Sequence, residues 1–140
     1  MKRILVGVDG SDASHHAAAL AAEIALRFGA RLTLAYVVPR LLLPPDAYGL
    51  TLAEVEDEHN EFAQKLTADA MAKVAESGVE TDTMILHGSP AEGLAEAAQA
   101  PEVGLVVVGS RGRGAVARVL LGSVTDRLVH ICTKPVLVTR

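Results

Sequence analysis

The sequence has little of what disulfide frameworks, membrane spans and nucleic-acid surfaces require. It contains one cysteine, Cys132, which excludes an internal disulfide and is typical of a reducing compartment. No apolar run approaches the length of a membrane span. The aromatic residues are two tyrosines and two phenylalanines, and the formal net charge is -4. A basic, ring-bearing surface for nucleic acid is therefore not expected.

The N-terminal residues do not predict a signal peptide. Met1-Lys2-Arg3 leads into a short apolar stretch that already contains Gly7 and Asp9. Together with the single cysteine, this predicts a cytoplasmic protein. Half of the 140 residues are hydrophobic and 21% are charged, which is the profile of a globular protein with a sizeable core. A chain of this length fits one domain, so we expect residues 1–140 to fold as a single unit.

Four short, continuous apolar segments rich in β-branched residues predict buried strands. They run from Ile4 to Val8, Leu32 to Val38, Leu105 to Val108 and Pro135 to Thr139. Strands without polar alternation are typical of a parallel sheet that is covered by helices on both faces. A fifth segment, Val79 to Leu86, alternates apolar and polar residues and predicts an edge strand.

Helix start and stop signals separate these strands. Ser11 predicts the N-cap of a first helix that ends at Gly29. Its expected inner face consists of Ala17, Leu20, Ala21, Ile24 and Phe28. Thr51 and Glu54 predict a capping box at the start of a second helix, which runs towards Gly78. Its expected apolar residues are Leu52, Val55, Phe62, Leu66 and Val74.

The last two helices complete an alternating order of strands and helices. Ser89 as N-cap, Pro90 at the first helical position and Glu92 predict a second capping box. A fourth helix begins at Gly122-Ser123 and runs to about Cys132. The order β-α-β-α-β-α-β-α-β implies right-handed crossovers and therefore an α/β fold with a doubly wound parallel sheet.

Polar and glycine-rich residues follow three of the predicted strands, at the edge where open parallel sheets bind ligands. The first strand ends in Gly7-Val8-Asp9-Gly10-Ser11 and the second in Val37-Val38-Pro39. The fourth ends in Gly109-Ser110-Arg111-Gly112-Arg113-Gly114, and the next helix opens at Gly122-Ser123.

The last of these stretches has the composition of a phosphate cradle. Its glycines allow backbone amides to approach an anion, and the amides and dipole at the start of the fourth helix favour a phosphate. Ser123 and Thr125 can add hydroxyl donors, and Arg111 and Arg113 can add positive charge. The arginines at positions 111, 113, 118 and 127 are equally well explained as a solvated charged face.

The spacing Gly109-x2-Gly112-x9-Gly122-Ser123 resembles the nucleotide-binding signature of the ATP-binding universal stress proteins. The opening segment Ile4 to Ser11, the order of elements and the closing segment Pro135 to Thr139 resemble the same family. The resemblance implies an adenine nucleotide α-hydrolase-like sheet of five strands in the order 3-2-1-4-5. The ligand would lie between the strands that end at Asp9 and Gly109.

The resemblance also implies a site with two walls and a homodimer. The base and ribose would contact Gly7, Val8, Asp9 and the backbone of Val37. The phosphates would contact the residues of the glycine-rich loop and the following helix, namely Gly109, Ser110, Arg111, Gly112, Gly122, Ser123, Val124 and Thr125. A carboxylate repels phosphate, so Asp9 is expected at the base or ribose end or beside a Mg²⁺ ion that accompanies ATP. Two subunits would pair through Val136, Leu137 and Val138, because an apolar terminal strand needs cover.

Three functions fit these residues. The first is a regulatory stress-response module in which bound ATP stabilises one conformation of a homodimer. The second is a slow ATPase or an autophosphorylating kinase that uses Ser110, Ser123 or Thr125 as acceptor. The third is a structural dimer that does not use nucleotide. The first is favoured because Asp9, Asp12 and Asp126 do not form a convincing catalytic set, and neither a P-loop nor an ATP pyrophosphatase motif is present.

The remaining polar residues do not suggest a metal site or a nucleophile. His59, His87 and His130 are scattered, and His15-His16 point to different sides of a helix, so metal binding by histidine is not expected. Cys132 has no acid or histidine beside it that would activate the thiol, and it is interpreted as a half-buried small hydrophobic residue.

Overall fold

Five parallel strands form one sheet in the order β3-β2-β1-β4-β5 within the part of the chain that the computed structural model describes, residues 1–40, 47, 49–111 and 121–140. The strands are β1 (Arg3–Gly7), β2 (Arg31–Val38), β3 (Thr81–His87), β4 (Val103–Gly109) and β5 (Val136–Thr139). The helices are α1 (Asp12–Phe28), α2 (Leu52–Val74), α3 (Pro90–Ala97) and α4 (Ser123–Ile131). The predicted fold class, strand order and edge position of β3 are confirmed.

Two apolar cores lie on opposite faces of the sheet, because successive side chains of a buried strand point to opposite sides. Ile4 and Val6 of β1 pack with α1 and α2, whereas Leu5 packs with α3 and α4. Helices therefore cover both faces, which explains why the inner strands β1, β2 and β4 are largely apolar. None of the helices in the described ranges combines the length and the hydropathy that crossing a membrane would need.

The inner face of α1 differs from the predicted one. Ala17 and Ala21 are buried as expected, but Leu20 is 39% exposed and Phe28 is 66% exposed. The buried residues of this helix are small: Ser14, Ala17, Ala18, Ala21, Ala22 and Ala25. Small side chains allow the helix axis to lie close to the strands, so the larger residues are displaced to the flanks and the end. The predicted ends are correct, since the Ser11 side chain accepts from the Ser14 amide and Gly29 has a φ of 62°.

Helix α2 begins at the predicted capping box. Thr51 accepts from the Glu54 amide at 3.2 Å, and the Glu54 carboxylate accepts from the Thr51 amide at 2.7 Å. The bond from the Thr51 amide, and after it the bond that the Thr51 hydroxyl donates to the same carboxylate at 2.7 Å, lower the pKa of the Glu54 carboxyl. Of the predicted apolar residues, Leu52 in the first turn is 57% exposed, and Phe62, whose ring contacts Tyr36 edge to face, is 43% exposed. The helix ends at Val74, and a 3-10 turn at Ala75–Ser77 leads to Gly78.

The capping box predicted for α3 is wrong. Ser89 occupies the N-cap position and Pro90 the first helical position, but the Ser89 side chain makes no capping hydrogen bond. The Glu92 carboxylate instead accepts from Arg127 of α4 at 3.0 Å. Arg127 therefore binds the Glu92 carboxylate, which the sequence pattern assigns to the backbone amide at the start of α3.

Candidate functional site

The carboxyl ends of β1 and β4 lie side by side at the point where the winding of the sheet reverses. After β1 the chain turns into α1 on one face, and after β4 it leads to α4 on the other face. Neighbouring strands that feed helices on opposite faces leave a crevice between their ends, and open α/β sheets bind ligands in such crevices. Those predicted site residues that the structure describes therefore lie at the edge of the sheet that is suited to a ligand.

Asp9 organises the turn between β1 and α1. Its Oδ1 accepts from the Ser11 amide at 2.9 Å, and its own amide donates to the Ser14 hydroxyl at 3.3 Å. Gly10 follows with a φ of 82°, a conformation that favours glycine. Asp9 thus caps this turn, and its contact with a ligand stays a prediction.

Val8 and Val37 lie at the carboxyl ends of β1 and β2, and their side chains are buried in the two cores. The Val8 amide donates to the Ala35 carbonyl at 2.9 Å, and Gly7 pairs with Ala35 as the last residue of β1. The backbone N–H and C=O groups of successive residues point to alternate sides of a strand, so those of Val37 point to the same side as those of Ala35. This is the side of β1, and Val37 lies beyond the last residue of that strand. The backbone of Val37 is therefore directed to the region above β1 that the sequence analysis proposed for the base.

The glycines at the ends of β1 and β4 are explained by packing. A Cβ on Gly7 would lie 2.8 Å from a methyl group of Leu94 in α3. A Cβ on Gly109 would lie 2.8 Å from both the carbonyl carbon and the Cβ of Ala13 in α1. At Gly109 the close atoms include backbone atoms of α1, so a larger residue requires the helix or the strand to move, whereas at Gly7 the close atom is the end of a side chain. Neither Leu94 nor Ala13 could be identified from the sequence, because both contacts join segments that are distant in the chain.

Three hydrogen bonds tie the residues on both sides of the β4–α4 connection to each other and to β5. The Ser110 amide donates to the Thr139 carbonyl at 2.6 Å, and the Ser110 carbonyl accepts from the Gly122 amide at 2.6 Å. The hydroxyl of buried Thr125 donates to the Gly109 carbonyl at 2.7 Å. Gly112, and Arg113 and Arg118 of the basic cluster, lie outside the described residues, so this predicted part of the cradle stays a prediction.

The N-terminus of α4 presents amides to the crevice. Gly122 is the N-cap and has no side chain that could accept from the first turn, and its carbonyl accepts from the Asp126 amide at 2.9 Å. Helix geometry leaves the amides of Ser123, Val124 and Thr125 without an acceptor in their own helix. Ser123 and Val124 are exposed. Together with the helix dipole, this end of α4 can bind an anion such as a phosphate.

The charged side chains on and near α4 include one ion pair and one exposed arginine. Arg127 binds Glu92, and this hydrogen bond is the main cause that lowers the pKa of the Glu92 carboxyl. A lowered pKa in the folded state stabilises the protein above the unfolded-state pKa, and this contribution is lost as the pH falls through the folded-state pKa. Both side chains are exposed, so water screens the pair. Arg111, also exposed, keeps the predicted position at the end of β4.

Two further observations complete the description of the site. The Thr139 hydroxyl is buried at the end of β5 and has no hydrogen-bond partner among the described residues. Within the described ranges, no group of three or more histidine, cysteine, aspartate or glutamate side chains is arranged to hold a metal ion.

Comparison with known proteins gives matches along the whole chain. The model of the universal stress protein family matches residues 1–140. A universal stress protein from Thermus aquaticus is 38% identical over 141 residues, which cover 99% of this chain and 98% of the relative. Among solved structures, the universal stress protein UspA from Lactobacillus plantarum is 34% identical, with a TM-score of 0.86 and coverage of 99% and 97%. A universal stress protein solved in complex with cAMP is 26% identical, with a TM-score of 0.76 and coverage of 99% and 97%.

Proposed function

The chain belongs to the universal stress protein family, and on this premise we propose that it is a homodimeric regulatory module that binds ATP between the carboxyl ends of β1 and β4. The observation that carries the proposal is the N-terminus of α4, where three amides lack an acceptor in their own helix and Gly122 has no side chain. The relative solved with cAMP supports an adenine nucleotide as the ligand class. ATP is proposed among the adenine nucleotides because of the spacing Gly109-x2-Gly112-x9-Gly122-Ser123.

In this proposal the nucleotide lies across the crevice with its phosphates towards α4. The phosphates contact amides and glycines at the end of β4 and the start of α4, namely Gly109, Ser110, Arg111, Gly112, Gly122, Ser123, Val124 and Thr125. The base and ribose contact Gly7, Val8, Asp9 and Val37. One Asp9 oxygen accepts from the Ser11 amide, so a Mg²⁺ ion near this carboxylate would be held mainly by the phosphates of ATP.

Purified protein is expected to bind ATP more tightly than adenosine, because only ATP reaches the amides of α4. We expect a difference of at least about tenfold in Kd, which corresponds to about 1.4 kcal/mol, the net value of one hydrogen bond to a charged group. Isothermal titration calorimetry with ATP, AMP and adenosine measures it. Anion-exchange chromatography of a heat extract identifies any nucleotide that is carried through purification. An empty extract together with no heat on adding ATP or AMP would contradict the proposal and favour a dimer that does not use nucleotide.

The same preparation separates binding from catalysis. Incubation with γ-labelled ATP and Mg²⁺ is expected to release no phosphate above the protein-free rate and to leave the protein unlabelled. Release or labelling that is lost in Asp9→Ala would instead support the slow ATPase or the autophosphorylating kinase.

The proposed homodimer forms through β5, an edge strand whose three apolar residues are half-buried. Such an edge presents unpaired backbone groups that a second copy can pair with around a two-fold axis. The carbonyl of Pro135 accepts from Val106 in β4 and that of Thr139 from Ser110 just after it, so alternation directs the backbone N–H and C=O groups of Val136 and Val138 away from the sheet.

Val138→Pro is expected to convert the dimer into a monomer without unfolding it. Proline has no N–H group, so this substitution removes one of the backbone amides that point away from the sheet, and an edge strand tolerates the loss. Multi-angle light scattering gives the mass, and circular dichroism gives the fold. Leu137→Pro is the matched control, because it removes an amide directed at β4 and is expected to lower the stability of the monomer as well. A Val138→Pro variant that remains a dimer would show that β5 is not the interface.

A further inference from the structure

The hydroxyl of Thr125 joins the first turn of α4 to the last residue of β4. Its Oγ1 lies 2.7 Å from the Gly109 carbonyl oxygen, and the residue is only 4% exposed. A hydroxyl has one proton to donate, and here that proton is directed at a backbone carbonyl. The contact spans 16 positions of sequence, so it arises from the tertiary fold and not from the local helix.

A second bond runs close to the first and acts on the same pair of segments. The Gly122 amide donates to the Ser110 carbonyl at 2.6 Å, so this bond joins the residue after Gly109 to the N-cap of the helix. One hydrogen bond between two segments allows rotation about its axis, whereas two bonds at separate points fix the orientation. The backbone bond cannot be removed by changing a side chain, but the Thr125 bond can. Thr125 is therefore the residue through which the orientation of the helix start can be tested.

We propose that Thr125 is a positioning residue for the phosphate-binding amides, and that its hydroxyl is not itself a phosphate ligand. By holding the first turn of α4 against β4, it keeps the amides of Ser123 and Val124 directed into the crevice before a ligand arrives. An anion then binds without ordering the helix start, which lowers the entropic cost of binding. This inference rests on the proposed function of the site and adds the residue that fixes its geometry.

Removal of the hydroxyl leaves the buried Gly109 carbonyl without its donor. A buried acceptor that loses its partner is costly, so the first turn of α4 shifts or admits water in order to satisfy the carbonyl. Thr125→Val keeps the shape of the side chain and removes the bond. We expect its affinity for ATP to fall about tenfold, since one lost buried hydrogen bond corresponds to roughly that factor. The affinity for adenosine, which does not reach α4, is expected to change less than about twofold.

The experiment compares Thr125→Val, Thr125→Ala and Thr125→Ser with the wild-type protein and with Thr67→Val. Thr67 is a matched control because it is equally buried and its hydroxyl donates to the Ala63 carbonyl at 2.9 Å, within α2 on the opposite face of the sheet. Thermal unfolding measures the stability of each variant, and calorimetry measures the Kd for ATP and for adenosine. Thr125→Ser is expected to bind like the wild type, and Thr67→Val is expected to lose stability without changing the ratio of the two affinities.

A readout on the nucleotide-free protein separates positioning from direct contact. Hydrogen exchange of the Gly122 amide is expected to accelerate in Thr125→Val, because the helix start is then held at one point only. If the hydroxyl were a phosphate ligand, exchange in the absence of nucleotide would not change. Thr125→Ala serves the same comparison if the valine variant does not fold.

The outcomes distinguish this inference from the proposed function. If the wild-type protein binds no ATP, the proposed function is wrong and the inference is lost with it. If the wild type binds ATP and the two hydroxyl-free variants bind it equally well, only the role of Thr125 is wrong. Equal losses of affinity for ATP and for adenosine, or a Thr125→Ser variant that does not restore binding, would also show that Thr125 is not a positioning residue.

Discussion

Gly122→Val is expected to lower the affinity for ATP by about 100-fold, the loss of roughly two hydrogen bonds to a charged group, while the protein keeps its fold. Gly122 has a φ of -68° and a ψ of 158°, which is extended backbone that any residue adopts. Its conformation therefore does not require glycine. What glycine provides here is the absence of a side chain in front of the amides of α4, and a branched side chain fills that space.

Two measurements and one control variant test this result. Calorimetry gives the affinity, and circular dichroism with thermal unfolding gives the fold. Valine is a poor N-cap, so a loss of about 1 kcal/mol in unfolding free energy is expected in addition. Gly122→Ser separates the two effects, because serine is a good N-cap and preserves stability while its oxygen competes with phosphate for the same amides. If Gly122→Val binds ATP like the wild-type protein, the phosphates do not lie at the start of α4.

Gly109→Ala is expected to destabilise the protein by about 3 kcal/mol, at the upper end of what overpacking a core costs. The new Cβ would lie 2.8 Å from the carbonyl carbon and the Cβ of Ala13, and 3.0 Å from the Ala13 carbonyl oxygen. Backbone atoms cannot rotate away as a side chain can, so the start of α1 or the end of β4 must move. Urea denaturation of the ligand-free protein measures the change in unfolding free energy.

Gly93→Ala is the matched control for Gly109→Ala. Gly93 also faces a neighbouring element, but its Cβ would lie 3.4 Å from the two methyl groups of Val37, which is ordinary contact with a side chain. Alanine favours a helix over glycine by about 1 kcal/mol, so this variant is expected to be neutral or stabilised. If Gly109→Ala were as stable as the wild type, the contact with Ala13 would not be the reason for glycine at this position.

The sequence could predict the elements whose signals are local. The strands could be located because β-branched apolar runs are bounded by Gly, Pro and polar residues, and the start of α2 because Thr51 and Glu54 satisfy each other. Ser89 and Glu92 show the same pattern, yet the structure pairs Glu92 with Arg127. A pattern of residue types cannot indicate that a neighbouring helix offers a better partner, because that helix is distant in the chain.

The same distinction applies to the candidate site. The sequence could identify the glycine-rich stretch after β4 and the start of α4, since both are contiguous. It could not predict that Thr125 bonds to Gly109, that Ser110 bonds to Thr139, or that Ala13 packs against Gly109. These contacts depend on how closely α1 approaches the sheet and on the register between β4 and β5. The assignment of ligand contacts to particular residues stays a prediction that the variants above will test.

The bond between Ser110 and Thr139 has a consequence for how the protein responds to heat. A short strand at the edge of a sheet frays at temperatures well below global melting, since few contacts hold it. Because Thr139 holds the amide of Ser110, fraying of the last strand releases the first residue after β4. Order at the crevice therefore depends on the shortest strand of the sheet, and whatever covers that strand extends the temperature range over which the crevice stays ordered.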